Sequence, residues 1–105
     1  MSAAFGMQLR LTARPGRLEE LVAALTAVDE SLAGEEACLL HVVGTVPDAD
    51  GVAVIAEAWT DPAAHARWRE APATAPLIAR VRAAATGPPD VLEVAWRGGK
   101  GLPAL

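Results

Sequence analysis

The stretch FGMQLRLTARPGRLEELVAALTAVDESL, residues 5–32, changes its hydrophobic period at one point and predicts a strand followed by a helix. Apolar and polar residues alternate from Phe5 to Ala13, which is typical of a half-buried strand. Pro15-Gly16 interrupts this alternation. From Leu18 to Leu32 the apolar residues lie three or four positions apart, the spacing of a helix with one buried face.

Two more strand patterns follow, separated by one turn. Cys38 to Val46 and Val52 to Trp59 are rich in small and β-branched apolar residues. The segment PDADG between them consists mainly of turn-forming residues. This arrangement predicts an antiparallel hairpin.

The C-terminal half predicts two helical segments and a last strand. Asp61-Pro62 indicates a helix start, because Asp caps free N–H groups and proline fits the first turn. This helix ends before Pro72, and a further helix from Thr74 is expected to bury an apolar face that includes Ile78. The last strand runs from Val91 to Trp96.

The resulting order, β-α-β-β-α(α)-β, predicts a ferredoxin-like α+β fold. Right-handed crossovers place the helices on one face of a four-stranded antiparallel sheet. Residues 1–105 are predicted to form a single domain with its core at about 5–96 and a flexible tail at 97–105.

The sheet face away from the helices is expected to be partly apolar. The residues predicted on it are Gln8, Arg10, Thr12, Val42, Gly44, Val54, Ala56 and Ala58. An open face of this kind usually marks an interface, so the sequence predicts a homodimer.

Composition and charge exclude several classes of protein. Hydrophobic residues make up 52% of the chain, which excludes a disordered protein. The net charge of −4 comes without any basic run, which excludes nucleic-acid binding. The longest uncharged stretch, Ala37 to Pro47, has eleven residues, whereas a membrane-spanning helix needs about 20. With no signal-peptide pattern, these features predict a cytoplasmic protein that does not bind membranes.

Cysteine and histidine usage predicts neither a disulfide nor a metal site. Cys38 is the single cysteine and lies in an apolar run, so it is expected to be a buried structural residue. The two histidines, His41 and His65, are not spaced as metal ligands.

The candidate site begins at Glu57 and Trp59, which share one face of the third predicted strand. Trp59 either belongs to the core, with Glu57 as a paired charge, or forms the wall of a pocket under the helix that carries His65 and Trp68. Both His65 and His41 are either hydrogen-bonded structural residues or bases near neutral pH. The two indoles are expected to bracket a slot for a flat ring.

The chain resembles the antibiotic biosynthesis monooxygenase domain family over roughly residues 5–96. The resemblance lies in Arg14-Pro15-Gly16 before a helix and in Glu57 and Trp59 before a short helix and an Ala-rich segment. It implies a homodimeric α+β barrel with a pocket in each subunit. Family members include cofactor-independent oxygenases that convert phenols, anthrones or quinols into quinones, and haem-degrading enzymes.

The chain departs from this family at the positions that hold haem. Haem-degrading members use an Asn on the first strand and a His on the later helix, and Leu9 and Ile78 occupy those positions here. Many other members carry His nine and fourteen residues after the tryptophan, where this chain has Trp68 and Ala73. The prediction is therefore a site without haem, metal or other cofactor.

The function predicted from the resemblance is oxidation of a small aromatic substrate by O₂. The predicted catalytic residues are His65, His41 and Glu57, and the predicted substrate-binding residues are Trp59, Trp68, Leu9 and Ile78. Arg10 or a backbone N–H is the expected donor to the substrate anion. The alternative is a non-catalytic module of the same fold that binds a small ligand or a dimer partner.

Overall fold

The computed structural model describes residues 3–103, so residues 1, 2, 104 and 105 of the predicted domain lie outside it. The strands are β1 (Ala4–Thr12), β2 (Cys38–Thr45), β3 (Val52–Trp59) and β4 (Asp90–Trp96). The helices are α1 (Leu18–Ser31), α2 (Pro62–Glu70) and α3 (Ala75–Ala84), and a 3₁₀ turn (Pro72–Thr74) joins the last two. Residues 97–103 form no helix or strand; the flexibility of this tail stays a prediction.

The four strands form one antiparallel sheet in the order β2-β3-β1-β4. The register places Met7 on β1 and His41 on β2 on either side of Glu57 on β3. Cross-strand partners point to the same face, so these three side chains lie on the side of the sheet that the helices cover. The predicted ferredoxin-like α+β fold is confirmed.

The predicted elements are confirmed with small shifts at their ends. β1 stops at Thr12 because Ala13 pairs with Ala85 in an isolated bridge instead. The start of α2 is as predicted, since the Asp61 carboxylate accepts a hydrogen bond from the backbone N–H of Ala64 at 2.8 Å. Thr74 makes no side-chain cap for α3 and belongs to the preceding 3₁₀ turn.

The covered face of the sheet carries two hydrophobic clusters. The aliphatic cluster consists of Leu11, Ala13, Leu21, Leu25, Ala53, Ile55, Ala84 and Ala85. The aromatic cluster consists of the buried residues Val28, Leu32, Trp59 and Ala64, with Phe5 and Trp68 packed against them. The aliphatic cluster draws on α1 and α3, whereas the aromatic cluster brings α2 onto the sheet.

The other face of the sheet is open and apolar in its middle. Val42 and Leu92 are 51% and 60% exposed there. Ala58, predicted to contribute to this open surface, is fully buried. The reason is that the Trp96 indole lies across Gly6, which pairs with Ala58, and covers that end of the face.

Candidate functional site

Glu57 is a buried carboxylate whose side chain is held by a tryptophan. It projects from β3 toward the helices and is 6% exposed. The indole Nε1 of Trp59 donates to Glu57 Oε1 at 2.9 Å. A buried charge needs such a donor, because burial removes the hydration that stabilises a carboxylate in water. The strand alternation that puts both residues on one face therefore also supplies the partner.

His65 approaches the same carboxylate oxygen from α2. Its Nε2 lies 3.4 Å from Glu57 Oε1, and the two groups are not aligned as a hydrogen bond. Burial lowers the pKa of His65 below its usual value; the negative charge of Glu57 opposes this effect, and the nearby Arg69 reinforces it. The imidazole is therefore neutral near pH 7 and has a lone pair able to accept a proton.

Aromatic rings surround His65 on several sides. Its ring centroid lies 5.6 Å from that of Phe5 and 5.2 Å from that of Trp59, the latter in an edge-to-face arrangement. The Trp59 and Trp68 centroids are 5.7 Å apart, so the two indoles are in contact. A flat ring held between them would need about 7 Å, twice a van der Waals contact. The predicted open slot between the two indoles is therefore wrong, and Trp59, fully buried, belongs to the core in this conformation.

His41, the other predicted base, lies apart from His65. Its side chain is 5% exposed, and its Nδ1 lies 3.4 Å from Asp29 Oδ1 on α1. This contact is also not aligned as a hydrogen bond, so Nδ1 has no hydrogen-bond partner within residues 3–103. His41 pairs with Glu57 in the sheet register, yet no nitrogen–oxygen contact within 4.0 Å joins their side chains. The structure thus brings Glu57 and His65 together and leaves His41 with Asp29.

The remaining predicted site residues are dispersed. Leu9 packs against the aliphatic cluster. Ile78 is half-buried on α3 and belongs to neither cluster. Arg10 projects from the open face of the sheet, because its register partner Val54 is exposed there. The sheet therefore separates Arg10 from His65, and the predicted role of Arg10 as donor to an anion formed there is wrong.

The thiol of Cys38 is not poised for reaction. Burial raises its pKa to about 11, and the nearby carboxylates act in the same direction. The thiol contacts the carbonyl oxygen of Leu40 at 3.6 Å. Cys38 is half-buried and not fully buried as predicted. Because the thiolate is the reactive form, the raised pKa supports the structural role that was predicted for it.

Two depressions lie elsewhere on the described part of the molecule. One, of about 600 Å³, is a groove on the open face lined mainly by residues of the four strands, among them Gln8, Arg10, Val54 and Leu92. The other, of about 650 Å³, lies beside Phe5 and is lined by Thr60, Asp61 and Glu93 among others. Neither is lined by Trp59, His65 or Trp68, so neither opens onto the aromatic cluster.

Two residues near the site were not predicted from the sequence. The indole Nε1 of Trp96 donates to the backbone carbonyl of Glu57 at 2.8 Å, from the open side of the sheet. A Cβ at Gly6 would collide with this indole. A glycine inside an alternating strand often marks such a close approach, so Gly6 was the available signal for Trp96. Asp29, on an exposed turn of α1, gave no comparable signal.

The described residues show neither a metal-binding group nor a membrane span. Within residues 3–103, no three His, Cys, Asp or Glu side chains converge as a metal site. Every helix in the same range is too short or too polar to span a lipid bilayer.

Solved structures of similar fold were found. A proposed antibiotic biosynthesis monooxygenase from Chloroflexus aurantiacus is 26% identical, with 96% of this chain and 100% of that chain covered and a TM-score of 0.83. SnoaB from Streptomyces nogalater, described as a cofactor-independent oxygenase, is 20% identical, with 94% and 98% covered and a TM-score of 0.81. A protein from Mycobacterium tuberculosis is 22% identical, with 93% and 99% covered and a TM-score of 0.79. The last two likenesses establish the fold alone.

The sequence comparison is more specific than the structural one. No curated protein matches the chain significantly. A family model described as antibiotic biosynthesis monooxygenase matches residues 4–80, which include β1 to α2, Glu57, Trp59 and His65. The match covers most of the chain, and the fold agrees with it. The protein belongs to the antibiotic biosynthesis monooxygenase family.

Proposed function

We propose that this protein is a cofactor-independent monooxygenase that oxidises a small aromatic substrate of the phenol, anthrone or quinol type with O₂. The observation that carries the proposal is His65, a neutral base held against aromatic rings and beside the buried Glu57. Membership of the family supports it, and so does the likeness in fold to a cofactor-independent oxygenase.

The chemistry can be written for a substrate with an aryl-activated CH₂ group. His65 removes one proton from this carbon, and the resulting anion transfers electrons to O₂ and forms a carbon–oxygen bond. The peroxide takes up a proton, loses its second C–H proton and expels hydroxide, so that CH₂ and O₂ become C=O and H₂O. The substrate anion supplies all the electrons, and the protein supplies a base and a site from which water is excluded.

Binding of a flat ring between the two indoles beside His65 requires α2 to move. Trp59 has no exposed surface, and the two indoles are in contact. Among the residues of α2, Ala64 alone is buried, and the helix otherwise holds to the sheet through its half-buried His65 and Trp68. A planar substrate would therefore enter by displacing Trp68 and the helix that carries it, and would stack on the rings that remain.

We also propose that two copies of the chain pack through their open sheet faces. Val42, Val54 and Leu92 are exposed on this face around the groove. A second copy is the natural cover for such a surface, and stable dimers of this kind bury more than about 2,000 Å² in total. Light scattering should give twice the chain mass of 10.8 kDa. Leu92→Glu should return the monomer mass, and a dimer unchanged by that substitution would place the interface elsewhere.

Oxygen uptake tests the proposed activity. Purified protein is mixed with an anthrone or a naphthoquinol in the presence of a chelator, and the spontaneous oxidation rate without protein is subtracted. His65→Gln should reduce the protein-dependent rate by on the order of 10²-fold or more, as for loss of a general base. Arg67→Gln, on the exposed side of the same helix, is the matched control and should keep the rate.

Further outcomes separate the candidates. Loss of activity in His41→Gln but not in His65→Gln would assign the base to the His41–Asp29 pair. Quenching of tryptophan fluorescence by these compounds without any oxygen uptake would favour the alternative, a ligand-binding module. The observation in favour of a non-catalytic module is the open sheet face with its exposed Val42, Val54 and Leu92, because a dimer partner can cover it without any use of His65.

A further inference from the structure

Trp59 makes one side-chain hydrogen bond, and that bond connects it to the proposed base. Its indole Nε1 donates to Glu57 Oε1 at 2.9 Å, and this oxygen is also the one that His65 Nε2 approaches at 3.4 Å. Trp59 is fully buried, so a substrate does not reach its ring without a change in the cluster. The hydrogen bond of the Trp59 indole therefore holds the Glu57 carboxylate.

The Trp59 indole and the His65 imidazole approach the same carboxylate oxygen. The indole N–H is close and aligned, whereas the imidazole is farther away and poorly aligned. A hydrogen bond to a carboxylate draws on its negative charge and fixes its orientation. As long as Trp59 holds Oε1, Glu57 is less able to stabilise a protonated His65.

We propose that Trp59 is a positioning residue that controls how readily His65 takes up a proton, acting through Glu57 and not on the substrate. The inference deepens the proposed function. It rests on that function for the statement that the proton taken up by His65 comes from the substrate. The link from Trp59 through Glu57 to His65 is a property of the protein alone. It is therefore measurable whether or not a substrate is known.

The surroundings of His65 limit what else could act on its titration. The charged groups that face it are Glu57 on β3 and Arg69 on α2, and burial is the largest cause of its lowered pKa. The rings packed around it are Phe5 on β1, Trp59 on β3 and Trp68 on its own helix. Trp68 contributes burial, as Trp59 does, but its indole N–H makes no hydrogen bond within residues 3–103.

Few resonances have to be assigned in this experiment, because the chain has two histidines and three tryptophans. Imidazole resonances are titrated by NMR in the wild type, Trp59→Phe and Trp68→Phe, and His41→Gln assigns them. Both tryptophan substitutions shrink a ring beside His65, whereas only Trp59→Phe removes the donor to Glu57. Trp59→Phe should raise the pKa of His65 clearly more than Trp68→Phe does.

A double-mutant cycle completes the test. Glu57→Gln keeps an acceptor for the indole but removes the charge, so it should lower the pKa of His65 further. In that background Trp59→Phe should shift the pKa no more than Trp68→Phe does. If Trp59→Phe shifts the pKa of His65 by the same amount with Glu57 as with Glu57→Gln, the proposal is overturned. The loss of burial alone would then explain the shift.

A measurement on the unaltered protein covers the case in which Trp59→Phe does not fold. The Trp59 indole N–H resonance should titrate with the same midpoint as the His65 imidazole, and this response should disappear in Glu57→Gln. An indole resonance that keeps the same response without the Glu57 charge would also overturn the proposal. Absence of oxygen uptake in any variant bears on the proposed function alone.

Discussion

The aliphatic and aromatic clusters share one face of one sheet, yet they differ in what they bury. The aliphatic cluster is built from Ala, Leu and Ile alone, and Leu21 in it is fully buried. The aromatic cluster surrounds a carboxylate and an imidazole that lie 3.4 Å apart. Burying these polar groups costs free energy unless they find partners, whereas burying aliphatic groups is favourable throughout.

This difference indicates that the two ends of the sheet have different roles, one in stability and the other in the proposed chemistry. The apolar end, where α1 and α3 pack on each other, provides stability without any titratable group. The other end holds α2 through Ala64 and a few half-buried side chains, and it holds the proposed base. The proposed movement of α2 and the proposed chemistry thus both belong to the end of the sheet where a helix is held by few buried side chains.

The largest effect is expected in the aliphatic cluster. Leu21→Ala should destabilise the fold by about 2–5 kcal/mol, because it leaves a cavity among buried aliphatic groups. Urea unfolding gives the change in free energy, and the His65 imidazole titration in the same variant should match the wild type. A shifted His65 titration would show that the two clusters are not independent.

The next effect concerns the reactivity of Cys38, which packs against the aromatic cluster. With a pKa of about 11 instead of the ordinary 9.0, its thiolate population at pH 8 is about 100-fold smaller. Alkylation by iodoacetamide should be slower by about that factor than for Ala23→Cys in a Cys38→Ala background, since Ala23 is exposed on α1. Equal rates in the folded proteins would contradict the burial of the thiol, and equal rates in urea are the control.

The fold could be predicted well from the sequence because, in every element, the spacing of apolar residues agrees with the turn and capping residues at its ends. The alternation in β1, the helical spacing after Pro15-Gly16 and the Asp61 cap each correspond to an observed strand, helix or cap. Register was also accessible, because a shift by one residue would put the apolar face of β1 on the wrong side. The small errors fall at the ends of elements. β1 ends before Ala13 because that residue pairs with Ala85, which is distant in sequence, and α3 begins only after Thr74.

The site was less accessible to sequence reasoning. That Glu57 and Trp59 share a face follows from strand geometry, but their hydrogen bond depends on side-chain rotamers that no pattern specifies. The contact between Trp59 and Trp68 depends on how closely α2 approaches the sheet, which is a tertiary property. The open slot was therefore predicted wrongly even though each element bearing an indole was predicted correctly.

A smaller effect is expected where the hydrogen bond of the aromatic cluster is removed. Glu57→Leu leaves the buried Trp59 N–H without an acceptor, which should destabilise the fold by about 1–3 kcal/mol. Glu57→Gln retains an amide oxygen for the indole and should be less destabilising. Urea unfolding at pH 7.5 compares the two variants. If Gln costs as much as Leu, the stabilisation comes from the charge of Glu57 and not from its bond to Trp59.

The smallest effect is the pH dependence that His65 adds to the stability of the aromatic cluster. Burial lowers the pKa of His65 in the folded state below its ordinary value of 6.5. The unfolded chain therefore binds this proton more readily, and the free energy of unfolding decreases as the pH falls from about 6.5 through the folded pKa.

Well above pH 6.5 the imidazole is neutral in both states, so the stabilisation is fully present there. A single proton contributes at most about 1.4 kcal/mol per pH unit to this slope.

Urea unfolding between pH 7.5 and 5.5 should give a steeper loss of stability for the wild type than for His65→Gln, in which this proton-binding group is absent. Leu21→Ala should lose stability with the wild-type slope from a lower starting value, because the aliphatic cluster binds no proton. Parallel curves for the wild type and His65→Gln would mean that the pKa of His65 is the same in the folded and the unfolded chain. Burial of the imidazole in the aromatic cluster would then not outweigh the charge of Glu57.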